Sequence, residues 1–335
     1  FQEEGYATGA FVANNGFLGE RYQFDQGFTT YHVERVYADV INRRVVSWLE
    51  SHGADPFFLY VNYIDTHRVY NARPRDDFLD PPAVFDQGQL LDQLYQAVMP
   101  ADGPVPAELA RKVNDQYDTA VRNLDEQIGL LFGYLKAEGL WDDTVIVLTT
   151  DHGEYLGEHH LVEHSKDVYE EAVRAALMVK RPDQRAGTRV EEPVSLADVP
   201  ALVFEQFPPS FAPEARGEFP RDPAGDPIIA ENYYTRQKDF ADPRWGHRFD
   251  RVRTVLYEWP WKYIRSSDGA HELYRLDTDP GEQQNLLDGE AARAAAMDAR
   301  LVEFQRSRGR WSGDTGAPPL SAEDRKRLRS LGYVD

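Results

Sequence analysis

Two stretches of this chain, "PFFLYVNYIDTH" (56–67) and "WDDTVIVLTTDHG" (141–153), run through consecutive apolar β-formers and then stop at polar residues. Strands too uniformly apolar to alternate are buried on both faces, which requires helices above and below them. The helices are legible. "RVYADVINRRVVSWLESH" (35–52) spaces its apolar residues for one face and ends near Gly53, and "AELARKVNDQYDTAVRNLDEQIGLLFGYLKAEGL" (107–140) carries one long amphipathic helix or a pair. With "ATGAFVAN" (7–14) and "AALMVKRP" (175–182) as further strands, the order predicts an α/β fold: a mainly parallel sheet sandwiched by helices. Ligands of such sheets bind where strands end at their carboxyl side. Both "DTH" and "TTDHG" fall there.

The pattern changes further along. A stretch at 71–106, rich in Pro, Asp and Gln, reads as irregular, "PVSLADVPALVFEQF" (193–207) as a helix, and 208–227 is dense in Pro. "PIIAENYY", "DRVRTVLYE", "WKYIRSS" and "HELYRLD" then read as an antiparallel meander, followed by a helix over "EAARAAAMDARLVEFQRSR" and a short one in "LSAEDRKRLRSLGYVD". We therefore divide the chain into an α/β domain over 1–215 and a smaller α+β subdomain over 216–335. A length of 335 residues accommodates both.

Composition removes several function classes. The formal net charge is −20, which argues against a general nucleic-acid binder, since phosphates are neutralised by clustered Lys and Arg. There is no Cys, hence no disulfide, thiolate metal site or cysteine nucleophile within these residues. No stretch is long and apolar enough for a membrane span, and no export signal is visible. The sequence does not distinguish a cytoplasmic from a periplasmic or secreted protein, and it carries no sign of oligomeric state.

Four of the nine histidines lie in "TTDHGEYLGEHHLVEHSKDVYEE" (149–171). Asp151 and His152 follow a strand directly, and Gly153 lets the chain turn sharply. Both side chains can face one cation there: the carboxylate suits Ca²⁺ or Mg²⁺, and imidazole widens the choice to Zn²⁺ or Mn²⁺. The competing reading of the dipeptide is a solvated turn with Asp151 as a cap. His67 sits at the other strand end beside Arg68, and His164 and Lys166 add donors that can stabilise an oxyanion. Glu154, Glu158, Glu163, Glu170 and Glu171 read as solvated or structural.

Taken in order, "GYATGAFVAN", "FDQGF", "PFFLYVNYIDTHRVY", "TVIVLTTDHGEYLGEHHL", "YEEAVRAALMVKRP", "PVSLADVPALV", "WKYIRSSDGAHELYRLDTDPGEQQNL" and "LRSLGYVD" resemble the sulfatase family of the alkaline-phosphatase superfamily, from end to end of the chain. The resemblance implies hydrolysis of small-molecule or carbohydrate sulfate esters by a hydrated formylglycine, made from Cys or Ser in a Cys/Ser-x-Pro-x-Arg motif, with a divalent cation, usually Ca²⁺, on the sulfate oxygens. It implies that Asp151 and His152 are metal ligands and that His67 contacts the sulfate or leaving-group oxygen, with Thr66 in place of the family's Pro. His164 stands where the family often has Lys, and Lys166 two residues on is ranked level with it as the cationic contact.

One departure is large: neither the nucleophile motif nor the family's Asp-Asp metal pair occurs in these residues. The resemblance places both ahead of "GYATGAFVAN", so we expect an amino-terminal segment to carry them, and without its strand one side of "VIVLTT" or "FFLYVNY" would stand bare. Two alternatives share these motifs: a phosphoester or phosphonate monoester hydrolase of the same superfamily, and a non-catalytic anion-binding relative.

Overall fold

The computed structural model describes residues 1–70, 86–212, 226–233, 239 and 242–307. The predicted closing helix at 320–335, the first part of the 71–106 stretch and most of the Pro-dense segment lie outside the described residues.

The parallel sheet has three strands in the order β2–β1–β3, with β1 at Ala7–Val12, β2 at Thr30–Val33 and β3 at Phe57–Asn62. β1 is the central strand and the most buried. Between β2 and β3 the chain crosses over through helix α1 (Ala38–His52), which packs Ile41, Val45, Trp48 and Leu49 against Phe11 and Ala13. The approach is close at Gly9, where an added Cβ would lie 2.8 Å from Trp48 Cε2. Helix α3 (Ala107–Ala137) resolves the one-or-two question as a single helix of 31 residues, and contributes Leu131 and Leu135 to the same core.

Three expectations are corrected. β3 is not buried on both faces: Tyr60 is 41% exposed, because among the described residues β3 pairs with β1 alone. "VIVLTT" forms β4 (Ile146–Thr149), only partly buried, which pairs antiparallel with β7 (Leu177–Lys180) rather than joining the parallel sheet. The compact segment between them reverses the chain within a short span: a two-stranded ribbon of β5 (Tyr155–Leu156) and β6 (Val162–Glu163), then a single turn of helix, α4 (Glu170–Val173). The irregular stretch contains helix α2 (Gln89–Val98), begun at Gly88 in the left-handed region and burying Leu91, Leu94, Tyr95 and Val98. Its i, i+3, i+4, i+7 spacing is helical, but Gln and Asp between these positions dilute the signal.

Downstream, helix α5 (Val199–Phe204) precedes the antiparallel meander, whose strands β8 (Ile228–Asn232), β9 (Arg253–Glu258), β10 (Trp261–Ser266) and β11 (Glu272–Arg275) lie in the order β11–β10–β9–β8. Successive residues serve opposite faces. Leu256, Tyr263 and Leu273 pack on helix α6 (Ala291–Ser307) through Ala294, Met297 and Leu301, while Val255, Ile264 and Tyr274 pack on Val168, Tyr169 and Val173. The carboxyl-terminal sheet thus seats against the segment that leads into α4.

Gly9→Ala should destabilise the fold by about 1–3 kcal/mol, since the indole of Trp48 must move to admit a methyl group. Urea unfolding of the two proteins measures it.

Candidate active site

β3 and β4 deliver the predicted residues from their carboxyl ends. Beyond β4, Asp151 is exposed and accepts from the backbone N–H of His152 through Oδ1 at 3.0 Å, while its Oδ2 lies 3.7 Å from His152 Nε2. His152 Nδ1 is 2.8 Å from the carbonyl of Gly153. A carbonyl can only accept, so Nδ1 carries the proton and Nε2, on the Asp151 side, carries the lone pair of the neutral ring. An oxygen and an imidazole nitrogen side by side fit part of a divalent-cation shell. Gly153 makes the turn possible: its N–H donates to Ala172 at 2.7 Å, and a Cβ there would sit 2.1 Å from the Glu171 carbonyl oxygen.

His67 follows β3 with its own N–H bonded to Ile64 O and its Nδ1 2.9 Å from Arg68 O. Burial holds its pKa below the ordinary histidine value, so the ring is neutral near pH 7. His164, just past β6, joins both: its ring centroid is 4.3 Å from that of His152 and 5.5 Å from that of His67. Asp151, His152, His67 and His164 are therefore brought together from three separate points along the chain.

Lys166 is held among acidic and carbonyl partners. Its ammonium is fully buried, 3.5 Å from Glu163, 3.7 Å from Asp239 and 3.3 Å from the His164 carbonyl, with the Tyr95 ring 5.6 Å away. It underpins the loop that carries His164. Arg68 is likewise engaged, at 2.6 Å from Glu163 and 2.5 Å from Asp92, rather than standing exposed.

Sequence reasoning undervalued Glu154. Its side chain is 5% exposed and its Oε1 lies 3.0 Å from His164 Nδ1. Burial, reinforced by the charge of Glu163, pushes its pKa up to about 7, against the lowering effects of His152, Lys166 and His67. Nothing in the spacing from 154 to 164 signals this contact, which exists only because the β5–β6 ribbon folds back on itself.

A second group of potential ligands, His159, Glu171 and Glu282, has one donor atom from each residue within 4.8 Å of the others. Among the described residues it is the one cluster of three or more such side chains. Lys262 already occupies its neighbourhood, 2.8 Å from Glu282 and 2.9 Å from Glu170, both held from the fully buried β10 position. Tyr257 donates to Glu170 at 2.6 Å, and Glu282 accepts from the Glu170 backbone N–H at 2.6 Å. The cluster therefore reads as an ionic joint between α4 and the carboxyl-terminal sheet. Burial raises the Glu282 pKa to about 7 despite Lys262.

An Asp-His pair and two more imidazoles thus meet beyond the ends of β3, β4 and β6, a donor set able to hold a metal ion or move protons. The profile of the sulfatase family matches residues 1–208, and the chain belongs to that family. It is 26% identical over 297 residues to the multifunctional alkaline phosphatase superfamily protein PehA of Trinickia caryophylli, covering 76% of this chain and 56% of that protein. Against the N-acetylglucosamine-6-O-sulfatase of Bacteroides thetaiotaomicron it is 28% identical over 190 residues, 51% of this chain and 31% of that one. Its fold resembles the phosphonate monoester hydrolase of Agrobacterium radiobacter with a TM-score of 0.63 at 17% identity, over 96% of this chain and 82% of the other. The chain spans about half the length of the curated relatives it matches.

Because Glu282 binds its proton more tightly folded than unfolded, its contribution to stability should fall as pH rises from about 4.5 to about 7. Comparing wild type with Glu282→Gln by urea unfolding at pH 5 and pH 8 should show wild type losing ground to the variant at the higher pH, by up to about 3 kcal/mol. An equal difference at both pH values would contradict the raised pKa.

Proposed function

We propose that the protein is a sulfuric ester hydrolase whose site at the ends of β3 and β4 binds a divalent cation and the sulfate group of a small-molecule or carbohydrate ester. The observation that supports this most strongly is the convergence of His67 and His164 on the Asp151–His152 pair. Family membership supports it independently, and the name of the Bacteroides relative favours a sulfated sugar as the substrate class. In this reading 1–215 forms the catalytic domain and 216–335 a supporting subdomain.

Asp151 and His152 would hold the cation, for which Ca²⁺ is our choice because a carboxylate leads the donor set. When bound, the cation supplies positive charge on the sulfate oxygens and so favours attack at sulfur. His67 is neutral near pH 7 with its proton on Nδ1, so Nε2 is the atom that takes up a proton there. His164 is the contact for the anion, and Lys166 fixes the loop beneath it. The residues present do not fit a formylglycine: the sequence has no Cys and no Ser-x-Pro-x-Arg.

Two outcomes follow for calorimetric titration and turnover assays. Ca²⁺ should bind the chain weakly, and Asp151→Asn should weaken it by a further tenfold or so, the loss of about 1.4 kcal/mol. With an aryl sulfate and Ca²⁺ the chain should show little or no multiple turnover. Robust turnover would mean that a nucleophile other than formylglycine is at work.

A further inference from the structure

The three clustered histidines are each tethered at the same ring position. His67 Nδ1 is held by the carbonyl of Arg68 at 2.9 Å, His152 Nδ1 by the carbonyl of Gly153 at 2.8 Å, and His164 Nδ1 by the carboxyl group of Glu154 at 3.0 Å. For the first two the acceptor is a backbone oxygen, so the proton on Nδ1 is dictated by the chain's path. For the third the acceptor is a side chain brought across the β5–β6 ribbon.

We propose that Glu154 is a positioning residue: it accepts the Nδ1 proton of His164, so that His67, His152 and His164 all carry their lone pairs on Nε2. The three rings then share one polarity, with backbone or carboxylate acceptors on the Nδ1 side and a basic nitrogen on the other. A site built this way can engage a cation, or a proton moving to a leaving-group oxygen, through equivalent nitrogens. Glu154 is suited to the task because its side chain is nearly inaccessible to water, and because Glu163 behind it is itself engaged by Arg68 and Lys166. The role assigned to the site rests on the hydrolase reading, whereas the tautomer of His164 does not.

Long-range ¹H–¹⁵N spectra of the uniformly labelled, metal-free chain at about pH 8.5, where imidazoles are neutral, read each tautomer directly. In wild type, His164 should be in the Nδ1–H form, as should His67 and His152. In Glu154→Ala the Nδ1–H form of His164 should drop from nearly all of the population to a minority, because a solvated imidazole prefers its proton on Nε2, while the other two rings stay unchanged. Wild-type His164 in the Nε2–H form overturns the proposal without any variant, which covers the case in which Glu154→Ala does not fold. An unchanged His164 tautomer in a cooperatively melting Glu154→Ala protein overturns it as well. A wild-type chain with the expected tautomers that binds neither Ca²⁺ nor inorganic sulfate would sink the hydrolase reading and leave this assignment standing.

Discussion

Two fully buried cations of the carboxyl-terminal sheet, Arg253 on β9 and Lys262 on β10, hold the segment on which the site is built. Arg253 bonds Glu272 at 2.7 Å and reaches Asp167 at 3.4 Å, while Arg251 reaches the other oxygen of Asp167 at 2.8 Å. Lys262 grips Glu170 and Glu282 together. Buried charges are tolerated only when their partners are placed well, and removing one partner strands the other at a cost of several kcal/mol. Residues 167–171 are therefore tied to the sheet at two points, through Asp167 and through Glu170. Apolar packing of Val168 and Tyr169 against Val255, Ile264 and Tyr274 fills the space between the charges.

That position propagates toward the chemistry. Tyr169 N–H donates to the hydroxyl of the fully buried Tyr155, at the start of the ribbon, and the Ala172 carbonyl accepts from Gly153. On the far side of Tyr155 lies Glu154 with His164; beyond Gly153 lies His152. The ribbon, the turn and α4 are thus a single packed unit. His159 extends it: its ring stacks on Tyr169 at 3.8 Å, and although burial is the largest single effect and works the other way, the Glu171 hydrogen bond together with the charges of Glu171, Glu282 and Asp167 raises its pKa.

What could be read from the residues depended on how local the cause was. The meander was legible because each strand alternates within itself, with Leu256 and Val255 or Tyr263 and Ile264 dividing between faces. Asp151, His152 and His67 were legible because apolar strands end abruptly beside them. By contrast, the antiparallel pairing of β4 depends on which strand lies alongside, and residue type is silent on that. His164 and Lys166 could not be separated, since both carry nitrogen donors and lie close in sequence; among the acids that hold the lysine in the interior is Asp239, a residue far along the chain. Glu154 was passed over for a similar reason, as its partner is set by the ribbon and not by spacing.

The crowding at Gly153 has an architectural consequence. The Glu171 carbonyl lies so near that no side chain fits at Gly153, and the backbone of the turn rests directly on that of α4. A side chain at position 153 would therefore displace α4 together with His152, so the turn and the helix can only move as one.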